Sequence, residues 1–194
     1  MILIRHGQSE FNQVYSRTRV DPGIPDPRLT EEGRRQAALA AEALAARKLK
    51  RILASPYTRA LETAHIIADR LSLPVAVEPL VREHCRFNCD IGSLRSRLAR
   101  AWPWLDFAHL DERWWHQRLD ESEAELAERS GRFRARMAEQ ADWSEVAVVT
   151  HWGFIRSLTG TEVTNGALLA YDPVEGLARA LGAARTAPAR ASST

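Results

Sequence analysis

Lysine, cysteine and long apolar runs are all scarce in this chain of 194 residues, and each scarcity narrows what it can do. Lysine occurs only at Lys48 and Lys50, so almost all the positive charge is arginine. Net charge is +2, from 27 basic and 25 acidic residues. Between Arg82 and Arg136 the arginines are interleaved with Asp and Glu, as on a solvated mixed-sign face. No segregated basic stripe is visible, so a nucleic-acid partner is not expected. Cysteine occurs twice, at Cys85 and Cys89 beside His84, with no second pair at metal-ligand spacing. That pattern reads as free thiols in a reducing compartment and excludes a disulfide-stapled scaffold. No apolar stretch approaches the ~20 residues of a membrane span, and Met1 leads straight into Ile2-Leu3-Ile4 without a signal-peptide layout. The expectation is a cytoplasmic protein with no membrane partner. No acidic cluster resembles a magnesium site, and no metal or other cofactor is expected.

What remains is ordinary globular material, 45% apolar and 27% charged. Five short apolar runs read as buried strands: Met1 to Ile4, Arg51 to Ala54, Val75 to Val77, Val146 to Thr150 and Ala167 to Tyr171. Helical patterns lie between them. Thr30 reads as an N-cap, with Glu31 and Glu32 at the positive helix start and an alanine-rich stretch running to about Ala46. Ser55-Pro56 reads the same way, with Ser55 as cap and Pro56 at the first helical position. Ala60, Ala64, Ile67 and Leu71 then mark one apolar stripe, and Leu126, Phe133 and Met137 another, interrupted by Gly131. Strands alternating with helices predict an α/β sandwich, mainly parallel, with helices on both faces.

Residues 84–120 break this rhythm with Pro103, three histidines and four of the six tryptophans (Trp102, Trp104, Trp114, Trp115). They read as a capping insertion in a single domain over 1–182. The tryptophans read as packing anchors, since no alternating basic residues accompany them as in a base-stacking platform. Residues 183–194, small, polar and aperiodic, read as a flexible tail.

In an open α/β sheet, ligands gather where loops leave the carboxyl ends of the strands. Arg5-His6-Gly7-Gln8-Ser9 follow the first run. Ser55-Pro56 and then Arg59 follow the second, Arg82 and Glu83 follow the third, and His151-Trp152-Gly153 follow the fourth, with Arg156 just beyond. Singly, each has a bland reading. The histidines could be structural, Arg59 a surface cation, Glu83 a salt-bridge partner of Arg82 or Arg86, and Asn12 a helix-cap or turn residue. Together they put two imidazoles, two guanidiniums and a carboxylate at one sheet edge. Arginine's fork matches phosphate oxygens, and a neutral imidazole is a competent nucleophile. Arg5, Arg59 and a cationic His151 can supply the charge that magnesium supplies elsewhere.

The segment LIRHGQSEFN resembles the signature of the histidine phosphatase superfamily, the phosphoglycerate mutase-like family. The segments DPRLTEEGRRQA, ASPYTRALETA and VVTHWGFIRSLTG agree with it, in family order, out to about residue 160. The resemblance implies a three-layer α/β/α sandwich with a mainly parallel mixed sheet. It implies His6 as the nucleophile that becomes phosphorylated, with Arg5, Asn12, Arg59 and His151 holding the phosphoryl group. Glu83, in VREHCRFNCDIGS, falls at the place of the proton donor. The chain departs from the pattern in having Trp152 directly after the second histidine, where glycine is usual. It also lacks the aspartate that the acid phosphatase and phytase branch has there.

The function implied is metal-independent hydrolysis of a small phosphomonoester, a phosphorylated metabolite, through a phosphohistidine. The alternatives are a phosphoglycerate mutase-type phosphoryl transfer and a catalytically silent phospho-ligand-binding module. Arg86, Arg95 and Arg97 are open to two readings: a solvated, ion-paired helix, or recognition of a second acidic group.

Overall fold

In the computed structural model, which describes residues 1–181, the strand at the amino end lies in the middle of the sheet. The four-residue strand β1 (Ile2–Arg5) alternates its apolar side chains between two cores, Ile2 and Ile4 in one and Leu3 in the other. Such a strand must be covered on both faces. It is flanked by β4 (Val146–Thr150) in parallel and β5 (Leu168–Asp172) in antiparallel register. Adding β2 (Arg51–Ala54), β3 (Val75–Val77) and β6 (Leu177–Leu181) gives the order β3-β2-β4-β1-β5-β6. The sheet is mixed, with β3, β2, β4 and β1 parallel.

Helices α2 (Glu31–Leu44) and α3 (Thr58–Leu71) pack on one face, burying Ala40, Ala41, Leu44, Ala60, Ala64 and Ile67. Their small residues let the two helices lie close against each other. On the other face, α5 (Glu123–Ala138) and α6 (Trp152–Thr159) bury Leu126, Phe133, Met137, Phe154 and Ile155. The short helices α1 (Glu10–Thr18) and α4 (Arg95–Ala101) complete the chain. The expected sandwich, with helices on both faces of a mainly parallel sheet, is the observed one.

Three local expectations need correction. Ser55 does not cap α3: the N-cap is Tyr57, and the free N–H of Thr58 is taken by Asp26 Oδ1 at 2.8 Å. Strand β6 was not anticipated, because its sequence LARAL is mostly exposed and made of good helix formers; the turn at Gly176 (φ 76°) folds it back onto β5. Trp104 is 62% exposed and anchors no core, whereas Trp114 and Trp115 are buried as read. Within 84–120, Trp114 stacks edge-on against Tyr57 at 4.7 Å, and Arg95 pairs with Glu112 at 3.3 Å. The tail assigned to 183–194 lies outside the described residues.

Two glycines set how closely the loop after β1 approaches α2. A Cβ on Gly7 would lie 2.2 Å from the carbonyl oxygen of Gly33, and one on Gly33 would lie 2.0 Å from that of Gln8. Both contacts are backbone and have nowhere to retreat. Gly33→Ala is therefore expected to destabilise by roughly 3 kcal/mol or more, read in a denaturant melt. Gly131→Ala, at a helical site with open space around it, should stabilise by roughly 0.5–1 kcal/mol. Equal effects at the two positions would show that close approach is not what Gly33 serves.

Candidate active site

The register of β1 against β4 decides which side chains meet. His6 N donates to the carbonyl of Thr150 at 3.0 Å, so His6 and His151 leave adjacent strands at the same level. Their rings meet edge to face with centroids 5.0 Å apart. His6 Nδ1 donates to the carbonyl of Gly7 at 2.7 Å. That bond fixes the tautomer and leaves the lone pair on Nε2. Gly7 N donates to Thr63 Oγ1 at 3.1 Å, and the same hydroxyl donates to the carbonyl of Arg59 at 2.8 Å. The loop carrying His6 and the helix carrying Arg59 are thereby tied through one threonine.

Arg59, buried in the first turn of α3, lies 4.4 Å from the centroid of the Tyr57 ring. It donates to the carbonyl of Cys89 at 2.7 Å and to Asp90 Oδ1 at 3.1 Å. Asp90 Oδ2 accepts the N–H groups of Arg86 and Phe87, each at 3.0 Å. Asp90 was missed in the sequence because NCDIG reads as a turn and its partner is 31 residues away. Arg5 donates from Nη1 to the carbonyl of Val163 at 2.6 Å, and its buried Nε has no protein partner.

Ser55 has a different role from the one read for it: its hydroxyl is hydrogen-bonded to His151 Nε2 at 2.8 Å. The other ring nitrogen, Nδ1, is buried and has no hydrogen-bond partner among the described residues. Asn12 satisfies its bland reading, since its Oδ1 accepts from Ser9 N at 3.1 Å and closes the capping box of α1. It is also joined to the loop that carries His6. Asn165 Nδ2, absent from the sequence reading, donates to Asn12 Oδ1 at 3.1 Å and to the carbonyl of His6 at 3.2 Å.

Glu83 makes no ion pair with Arg82 or Arg86; those pair with Glu121 and Glu123. Its Oε1 accepts the N–H groups of His84 and Gly153, each at 2.8 Å. A Cβ at position 153 would lie 2.5 Å from that oxygen. The glycine this site requires therefore stands one place after the position where the resemblance puts it. Trp152 turns to Arg156, whose guanidinium lies 5.1 Å from its ring centroid.

The pocket's electrostatics follow from burial beside arginine. Burial, then Arg59 and Arg5, hold the His6 imidazole well below its ordinary pKa. Burial, then Arg59 and His6, do the same to His151. In the free site both shifts favour the neutral rings, so the cationic His151 expected to hold the phosphoryl group is not its resting state. Burial, reinforced by Asp90, raises the Glu83 carboxyl above the usual carboxylate range, against the pull of the His84 N–H, Arg59 and Arg5. The cysteines are free and buried, and burial pushes the Cys85 thiol to about 12 and Cys89 upward too, so both are unreactive thiols. A separate surface cavity of about 830 Å³, lined by Met1, Trp143, Tyr171 and Arg179 among others, contains none of these groups.

An uncharged imidazole with a free nitrogen, a second imidazole, two guanidiniums and a buried carboxyl of raised pKa define an α/β protein whose site suits a phosphoryl group. The chain belongs to the histidine phosphatase superfamily, whose branch 1 model matches residues 1–168. It is 33% identical over 166 residues to a glucosyl-3-phosphoglycerate phosphatase of Mycolicibacterium vanbaalenii, covering 82% of this chain and 72% of that protein. A 2,3-bisphosphoglycerate-dependent phosphoglycerate mutase of Thermoplasma acidophilum is 38% identical over 100 residues, covering 50% of this chain and 45% of that protein. The fold matches the native structure of a mycobacterial glucosyl-3-phosphoglycerate phosphatase with a TM-score of 0.61 at 24% identity, over 93% of this chain and 96% of that one.

Neutral buried imidazoles have a cost that grows with acidity. Each ring's folded pKa lies below its unfolded value of about 6.5, so below that pH the unfolded chain takes up protons that the folded site refuses. Stability is therefore expected to fall as pH drops from 7 to 5.5, by up to about 1.4 kcal/mol per imidazole per pH unit. Glu83, with its pKa raised, opposes this only as pH falls through its own folded pKa. His151→Asn should flatten the slope in melts across that range; an unchanged slope would mean that the ring is charged in the folded protein.

Proposed function

We propose that the protein is a phosphatase that hydrolyses a small phosphomonoester through a phosphohistidine on His6. The observation that carries this reading is the His6 Nδ1 bond to the Gly7 carbonyl, which presents Nε2 as a lone pair beside His151, Arg5 and Arg59. Nε2 attacks phosphorus as the ester P–O bond breaks. Glu83 gives its proton to the departing oxygen, from Oε2, since Oε1 is occupied by two N–H groups. Glu83 as carboxylate then takes a proton from water, whose oxygen attacks phosphorus as the P–N bond breaks. Neutral His6 and free phosphate result. Arg5 and Arg59 hold the equatorial oxygens, where charge builds up, and Asn12 supports the same group. His151 begins neutral, and its unpartnered Nδ1 suits a phosphoryl oxygen.

Hydrolysis is favoured over transfer because the phosphatase relative matches over most of both chains and the mutase over about half. The substrate class we infer is a phosphorylated sugar or hydroxy acid of the cytoplasm, with glucosyl-3-phosphoglycerate and 3-phosphoglycerate as the first compounds to assay. His6→Ala is expected to abolish phosphate release, by at least about 10³-fold, with an unchanged circular dichroism spectrum. Wild-type enzyme quenched in alkali should carry phosphate on His6. Near-normal turnover by the variant removes the proposal, and phosphate binding without any trapped phosphohistidine favours a silent binding module. A primed mutase assay that yields transfer with little free phosphate would reverse hydrolysis and transfer.

The carboxyl's part is tested by pH. Glu83 must be protonated for the first step, so kcat/KM should fall as pH rises through its raised pKa. Glu83→Gln should remove that alkaline limb and lower the rate for an alkyl phosphate by about 10²–10⁴-fold. A limb that persists in the variant belongs to another group.

A further inference from the structure

The segment that carries Glu83 is not part of the sheet, yet it is held as firmly as a strand. Arg129, in the middle of α5 and 2% exposed, donates from Nη1 to the carbonyls of Leu80 at 2.9 Å and Arg82 at 2.8 Å. Its Nη2 donates to the carbonyl of Glu83 itself at 3.2 Å. The guanidinium is oriented by Glu121, which accepts from Nε and Nη2, both at 2.9 Å. Glu121, also buried, reaches the other flank of the segment. Its Oε2 accepts the N–H of Cys85 at 3.0 Å, and its own N–H donates to the carbonyl of Cys85 at 3.2 Å. His84 Nε2 donates to the carbonyl of Glu121 at 2.7 Å. One ion pair thus fixes the backbone on both sides of Glu83.

We infer that Arg129 and Glu121 are positioning residues that hold the Glu83 carboxyl in line for proton transfer, acting through the backbone of residues 80–85. The inference rests on the reading of Glu83 as the acid and base of the reaction. A buried ion pair is an inefficient way to add stability, because desolvation cancels most of the attraction. Beyond the pairing itself and a contact of Glu121 Oε1 with the Arg82 guanidinium at 3.3 Å, this pair spends its donors and acceptors on the irregular backbone around one carboxyl. A planar five-donor fork is needed for that, since an ammonium cannot serve three carbonyls and a bidentate carboxylate together.

The test compares leaving groups. β-Glycerophosphate releases an alkoxide that needs a proton, whereas p-nitrophenyl phosphate releases an anion that leaves unaided. For Arg129→Lys the expected result is a kcat lower by about 10²-fold on β-glycerophosphate, with KM changed less than about 3-fold. The burst of p-nitrophenolate in the first turnover should fall by less than about 5-fold. Glu121→Gln, closer in shape, should show the same split more mildly. Glu83→Gln, measured beside them, should show it in full.

An equal loss on both substrates, a change in KM alone, or no loss in folded variants would overturn the proposal while leaving Glu83 as the acid. Failure of both variants to fold would also overturn it, since the pair would then be holding the domain together. Absence of the split in Glu83→Gln overturns the acid assignment, and the proposal with it.

Discussion

A neutral imidazole buried among guanidiniums is the arrangement from which the rest of this site follows. A protonated His6 would have no lone pair to offer, and an exposed imidazole, with a pKa of about 6.5, is partly protonated near neutral pH. Burial and the positive charge of Arg59 and Arg5 prevent that, and the carbonyl of Gly7 decides which nitrogen keeps its proton. The second condition is met by backbone. The end of β1 is fixed by the Thr150 carbonyl, and the turn after it lies so close to α2 that glycine is required on both sides. Reactivity at one nitrogen therefore depends on the packing of a helix that contributes no side chain to the chemistry.

How much of this was legible in the sequence depends on how far away each partner lies. The strands could be read because they are apolar runs in the middle of a doubly covered sheet, and their ends gave the candidate residues. His6 and His151 were identified this way because each follows its strand directly, and Arg59 and Glu83 because they lie five and six residues beyond the ends of β2 and β3. Ser55 was misread because the same Ser-Pro pair satisfies helix-capping rules, and only the fold shows that its hydroxyl is committed to His151. Asp90, Asn165 and Thr63 could not be read at all. Each acts across a long sequence separation, and each sits in a local context that has a sufficient explanation of its own. The displaced glycine shows the same limit, since only the contact between Gly153 and Glu83 reveals which backbone position must lack a side chain.

The segment between Glu83 and Asp120 connects to the site by packing. Trp114 rests on Tyr57, Tyr57 lies 5.2 Å from His151, and the Tyr57 hydroxyl donates to the carbonyl of Asp90 at 2.6 Å. A change in how Trp114 packs would be felt at both the second imidazole and the anchor of Arg59. Arg95 in this segment is paired with Glu112, and Arg86 lies 4.0 Å from Glu123. Those cations are partly neutralised, which accords with the solvated, ion-paired reading of this stretch.

Charge balance explains why the carboxyl proposed as the acid is the one left unpaired. Arg5, Arg59, Arg82 and Arg129 bring four guanidiniums in and around the pocket, and Asp90 and Glu121 answer two of those charges through ion pairs. Glu83 is held by N–H groups, not by a cation, and burial raises its pKa, which favours the protonated form. With both imidazoles neutral, two positive charges remain, which is the complement of a phosphomonoester dianion. Ionising Glu83 would remove one of them and set a carboxylate beside the arriving anion. Pairing it directly with an arginine would lower its pKa and take away the proton that the leaving oxygen needs. On the proposed mechanism the site can therefore both attract a dianion and deliver a proton only while its other carboxylates carry the ion pairing.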